Sequence, residues 1–100
     1  MNAQQSIAGI WNMGVDNTKI EITENDGTFY GEILSSDNAK ANVGKQILKD
    51  VKSNNGEWKG KMYAAKKGKW YDAVLKEKGN QLDVTIKVGF MSKTLKWNKE

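Results

Sequence analysis

The sequence has no cysteine, no histidine, no proline and no arginine. Each absence removes something. Without cysteine there are no disulfides, no thiolate zinc sites and no thiolate nucleophile. Without histidine the commonest general base and the commonest metal ligand are missing. Hydrolysis would have to run on carboxylates, lysine or tyrosine alone. Without arginine there is no planar fork to read guanine or clamp phosphate at two points. All 16 basic side chains are therefore lysines, which act as point charges. The lack of proline is permissive for an all-β chain, because proline interrupts interior strands. Long apolar runs are scarce too. No stretch approaches the roughly 20 residues of a membrane helix, and no charged-then-apolar signal segment is present in this chain.

What is present fits one domain. A chain of 100 residues folds around one modest core. The net charge of +4 predicts a solvated lysine-coated surface with weak attraction to anionic membranes or nucleic acid. The strongest structural signal is Gln81 to Val88. There Leu82, Val84, Ile86 and Val88 alternate with Gln81, Asp83, Thr85 and Lys87, the period of a strand with one wet and one buried face.

Taken in order, Met1 to Ser6 is polar and reads as a flexible leader before a single domain over residues 7–100. Strands are predicted at Ile7–Met13, Thr18–Glu24 and Thr28–Leu34. Asp26-Gly27 between the last two is a strong hairpin signal, because both central positions need positive φ. Ser35–Asn42 is a polar connection. Val43–Lys52 fits a helical stripe and a strand face alike, and strand neighbours favour strand. Further strands follow at Glu57–Ala64, Trp70–Lys76, Gln81–Val88 and Met91–Asn98. About eight short strands with turn signals between them point to an all-β sandwich or barrel. In up-and-down antiparallel order they close into a barrel, filled by side chains or holding one small ligand.

Phe29, Ile33, Trp58, Met62, Ile86 and Val88 are the candidate cavity lining. Gly31 and Gly60 omit side chains from the same predicted inner face, which favours space inside. A filled interior is the alternative. Tyr30, Tyr63, Trp70 and Tyr71 are candidates for an outer partner surface. Trp70 and Tyr71 are adjacent, so they point to opposite faces of their strand. Asp72 shares a face with Trp70 and Val74 and is expected to be partly buried. Lys59, Lys61, Lys66, Lys67 and Lys69 interleave with aromatics, as in single-strand binders, but the lack of arginine weighs against nucleic acid. No catalytic constellation, metal site or cofactor site emerges.

Three runs carry a family resemblance: Ile7-Ala8-Gly9-Ile10-Trp11, Thr18-Lys19-Ile20-Glu21-Ile22, and Asp26-Gly27-Thr28-Phe29-Tyr30-Gly31-Glu32-Ile33. Gly44–Leu48, Trp58–Tyr63, Gly68–Tyr71, Leu82–Val84 and Thr94–Trp97 continue it. In order and spacing the chain resembles the bacterial exported-protein family catalogued as domain-of-unknown-function family 2147. That resemblance implies a small lipocalin- or calycin-like barrel, made with a signal peptide, periplasmic or secreted, and with no established activity. Gly9-x-Trp11 is similar to the motif that opens lipocalin-type barrels, which implies that Gly9, Trp11 and Trp97 close one end. The chain departs from the family pattern in a short connection after its third strand and in Tyr63-Ala64-Ala65, where a proline is usual. It also has Lys99 after Trp97, where arginine is usual. Two non-enzymatic functions follow as expectations. One is binding of a small apolar or amphipathic ligand in the barrel. The other is a structural or protein-interaction module of the bacterial envelope, with a filled barrel and a protein partner or a homodimer.

Overall fold

The computed structural model of the chain describes residues 6–100. All but Ser6 of the expected leader lies outside the described residues. Eight strands run β1 (Gly9–Asn12), β2 (Lys19–Asn25), β3 (Thr28–Ser35), β4 (Gln46–Asn54), β5 (Glu57–Ala64), β6 (Lys69–Lys78), β7 (Gln81–Val88) and β8 (Met91–Lys99). Each pairs antiparallel with the next and β8 returns to β1, giving a closed up-and-down barrel. The all-β barrel expected from strand spacing is what forms.

Alternation places the core. Leu82, Val84 and Ile86 of β7 are buried, opposite Trp97, Leu95 and Lys93 of β8. On the other flank Leu75 and Ala73 of β6 meet Val84 and Ile86. Ile20 and Ile22 of β2, Phe29 of β3 and Trp58 and Met62 of β5 complete one continuous apolar cluster. The Asp26-Gly27 hairpin turn forms with φ of 55° and 82°, the two positive values a type I′ turn requires.

β4 departs from simple alternation. Ile47 and Leu48 are adjacent and both buried, as is Val51. Asp50 has φ 55°, and the register with β5 shifts between Lys49 and Lys52. The extra residue brings Leu48 and Val51 to the same face, as a β-bulge does, and a second shift, with β3, skips Ile47 between Leu48 opposite Gly31 and Gln46 opposite Glu32. The expected strand begins three residues late, and Val43 is exposed in the loop before it.

The connections sort by end. Residues 26–27, 55–56 and 79–80 are two-residue turns at one end, here the turn end. Residues 13–18, 36–45, 65–68 and 89–90 lie at the other, the loop end. The first two loops are tied together, because Asp37 N–H donates to the Asp16 carbonyl at 2.8 Å. The Thr18 and Ser36 hydroxyls also lie 2.7 Å apart.

Candidate functional site

The barrel interior comes first. Phe29, Trp58, Met62 and Ile86 are buried in the core cluster, and Ile33 and Val88 pack half-buried against it. They do not form one ring. Phe29 and Trp58 start their strands at the turn end, whereas Ile33, Met62, Ile86 and Val88 lie towards the loop end. The glycine argument for space fails at both positions. A Cβ on Gly31 would meet Leu48 Cδ1 at 3.0 Å and Ile20 Cγ2 at 3.3 Å. A Cβ on Gly60 would meet Val51 Cγ2 at 2.5 Å, Val51 Cα at 2.7 Å and the Lys49 carbonyl oxygen at 2.8 Å. The β4 bulge carries its backbone across Gly60. Both glycines mark close approach rather than an opening.

Trp11 and Trp97, expected with Gly9 to close one end, are both fully buried. Trp11 Nε1 donates to the Ile7 carbonyl at 2.9 Å, so the segment before β1 is pinned against the ring. Lys99 Nζ lies 5.6 Å from the centre of the same ring, a cation–π contact. Trp97 Nε1 has no hydrogen-bond partner among the described residues. Gly9 has φ 134°, a backbone state that only glycine enters readily, and nothing lies within 4 Å of its ideal Cβ position. Its role is conformational, letting the chain turn into β1.

On the outer wall Tyr63 of β5 pairs with Trp70 of β6. Their rings meet edge to face, with centroids 5.4 Å apart. Lys45 Nζ sits 4.2 Å from the Tyr63 ring centre and Lys49 Nζ sits 4.3 Å from that of Trp70. Tyr30 is on β3, two strands from Tyr63. Tyr71 does not join the patch. It pairs with Met62, shares the inner face with Ala73 and Leu75, and packs against the core. Asp72, on the opposite face, is exposed rather than partly buried. The inward pair Ala73 and Leu75, set against Asp72 and Lys76, was the sequence signal for this orientation.

The outer wall is charged. Asp72 accepts a hydrogen bond from Lys61, and that contact holds its carboxyl below the ordinary aspartate range. A shallow cleft of about 280 Å³ beside it is lined by Lys59, Gly60, Asp72, Ala73, Val74 and Lys87. Asp83 is nearly buried, accepts from Gln81 Nε2 at 2.9 Å and pairs with Lys78 and Lys96 at 3.2 and 3.6 Å. The Gln81 hydrogen bond leads in lowering its pKa, followed by that from Lys78. Glu100 is lowered in the same way by Asn12 and Lys19. These three carboxyls are held ionised, the opposite of what a general acid needs near neutral pH. A charged exterior around an apolar interior is also the reverse of a bilayer-spanning barrel, whose outer band is apolar. No helix among the described residues is long and apolar enough to cross a membrane.

A search of curated proteins finds no significant match. The family model described as "Uncharacterized protein conserved in bacteria (DUF2147)" matches residues 9–99, from the first residue of β1 to the last of β8. An eight-stranded barrel matched along its whole length in this way belongs to the DUF2147 family of bacterial proteins.

Proposed function

We propose that this chain is a non-enzymatic interaction module of the bacterial envelope, with a structural barrel interior and an outer surface that meets its partner. The observation that carries this reading is the occupied space at Gly31 and Gly60. Leu48 fills the first and the β4 backbone closes over the second. Ligand sites are concave and leave room for their occupant. Here the wall folds inward where a missing side chain would have left a lumen.

Binding of a small apolar or amphipathic ligand is the second reading. It draws on Ile33, Tyr71, Val88 and Leu95, inner-facing residues that are only half-buried. Native mass spectrometry of protein purified from a bacterial host separates the two. The expected result is the bare chain mass, unchanged after incubation with fatty acids. An adduct of a few hundred daltons that leaves on denaturation would move the protein to the carrier class.

A further inference from the structure

The two ends of the barrel differ in chemistry. The turn end is closed by Asp26-Gly27, Asn55-Gly56 and Gly79-Asn80. Three of its lysines are paired, through Lys76–Glu57, Lys78–Asp83 and Lys96–Asp83, while Lys52, Lys59 and Lys99 are in no ion pair among the described residues. The loop end carries Val15, Val43, Phe90 and Met91, all exposed, with exposed Leu34 near the end of β3. These are all of the large exposed hydrophobics among the described residues. Single exposed apolar side chains mean little, but a group at one end of a domain marks an interaction surface.

We propose that the loop end is a peripheral docking surface for an anionic lipid bilayer, with Phe90 as the wedge that enters the interface. This rests on the reading that the outer surface, not the lumen, is where the protein works. The wedge is the hairpin Lys87-Val88-Gly89-Phe90-Met91-Ser92-Lys93. Gly89, with φ 63°, takes the first central position of a two-residue turn and sets Phe90 at its tip, fully exposed. Lys87 and Lys93 flank the tip on either strand. Around the same end stand Lys40, Lys66, Lys67 and Lys69, and none of these six lysines is in an ion pair among the described residues. The acids within these loops are Asp16 and Asp37. Tyr63 and Trp70, next to the turn at 65–68, are half-buried amphipathic rings of the kind that settle at headgroup level.

Charge complementarity selects the occupant. An apolar wedge ringed by lysines gains from burial in the acyl boundary and from attraction to anionic headgroups together. Two copies joined at this end would bring their unpaired lysines together. The free β8 edge offers a second copy little more. β1 pairs with β8 only at Asn98 and Lys99, but Lys93 lies on the inner-facing row opposite Ile86. Exposed at the loop end of that row, Lys93 keeps a charge beside the edge, which blunts edge-to-edge pairing.

The test is co-sedimentation of the whole chain with vesicles of phosphatidylglycerol and phosphatidylcholine, with pure phosphatidylcholine vesicles alongside. Binding is expected to the anionic vesicles alone, and to fade as salt rises from about 0.05 to about 0.5 M. Phe90→Ser should weaken it roughly tenfold to a hundredfold, the loss of one buried phenyl group. Because Phe90 is fully exposed, that variant should melt with the parent. Lys66→Glu/Lys67→Glu should weaken binding far more than Lys52→Glu/Lys59→Glu, which makes the same charge change on the wall towards the turn end. The proposal is overturned by no preference for anionic vesicles, by a Phe90→Ser protein that binds as the parent does, or by equal loss in the two lysine pairs. Self-association that Phe90→Ser abolishes, without vesicle binding, assigns the end to a second copy and also overturns it. A bare native mass with no vesicle binding sinks this proposal and leaves the interaction module standing. A ligand adduct sinks the module whatever the vesicles show.

Discussion

Gly60→Ala is the sharpest probe of whether the barrel is filled. The added methyl would sit 2.5 Å from Val51 Cγ2, 2.7 Å from Val51 Cα and 2.8 Å from the Lys49 carbonyl oxygen. A rotamer change at Val51 relieves only the first contact. The other two are backbone atoms of the β4 bulge, so β4 and β5 must separate. Overpacking of this kind costs on the order of 1–3 kcal/mol, occasionally more. Alanine returns roughly 0.4–1 kcal/mol by restricting the unfolded chain. With backbone on two sides, the net loss should fall near the top of that range, about 2–3 kcal/mol. In a domain this small that is a melting-temperature drop on the order of 10–20 °C. Gly31→Ala is the internal control. Its near contacts are side-chain atoms of Leu48 and Ile20 at 3.0–3.3 Å, which can shift by tenths of an ångström, so the loss should stay below about 1 kcal/mol. Adding Val51→Ala to Gly60→Ala should rescue little, since the 2.7 and 2.8 Å contacts persist. Urea denaturation of the four proteins gives the answer. A Gly60→Ala protein as stable as the parent would mean that the wall beside Gly60 has room, and the filled-barrel reading would fail with it.

Other expectations follow from single contacts. Trp11→Ala should cost roughly 3–5 kcal/mol by denaturant titration, the usual loss for a buried aromatic; a melting point within a degree or two of the parent would refute it. Trp11→Phe should cost more than Trp97→Phe, because the first strands the Ile7 carbonyl that now accepts from Nε1, whereas the second removes an indole N–H with no partner among the described residues. Equal melting shifts would contradict that ordering. The lowered carboxyl of Asp83 contributes stability above its unfolded pKa of about 3.9. That contribution should be lost as pH falls through the still lower folded value, so the melting temperature should drop at acidic pH. Asp83→Asn should flatten part of this drop in melts from pH 7 to pH 3. Asp72 and Glu100, shifted the same way, should keep the rest.

Much of the fold was legible because two local rules agree over most of the chain. β7 alternates without interruption, and its buried face is Leu82, Val84 and Ile86 as the period requires. Asp26-Gly27 dictates its hairpin. β4 was ambiguous for a physical reason. The bulge at Asp50 and a second register shift at Ile47 each add a residue, so Ile47, Leu48 and Val51 all reach the core at a spacing that imitates a helical stripe. A bulge is set by what lies across it, here the bare Gly60, and that partner is 10 residues away in sequence. The same nonlocality misled the reading of the two glycines. A missing side chain on an inner face leaves space only if the neighbouring strand stays in register. In β6 Asp72 was expected to be partly buried and Tyr71 to join the outer aromatics. The barrel instead turns Tyr71 inward in line with Ala73 and Leu75, and leaves Asp72 exposed on the face where Trp70 meets Tyr63.

The division between the ends follows from the same economy of turns. At the turn end the three described connections have two residues each, so little chain is available there for anything but reversing direction. The first, third and fifth connections are longer, and two of them hold the exposed Val15 and Val43. The seventh is as short as any turn at the opposite end, yet it places Phe90 rather than a polar residue at its tip. Backbone geometry does not ask for an aromatic there. The second central position of a turn that opens on glycine tolerates most residues, and asparagine serves at Gly79-Asn80. Nor does stability ask for it, since the side chain is fully exposed. An exposed phenylalanine between Lys87 and Lys93 is therefore an apolar tip that neither folding nor turn chemistry accounts for. Replacing it should leave the melt untouched and change only what the loop end touches.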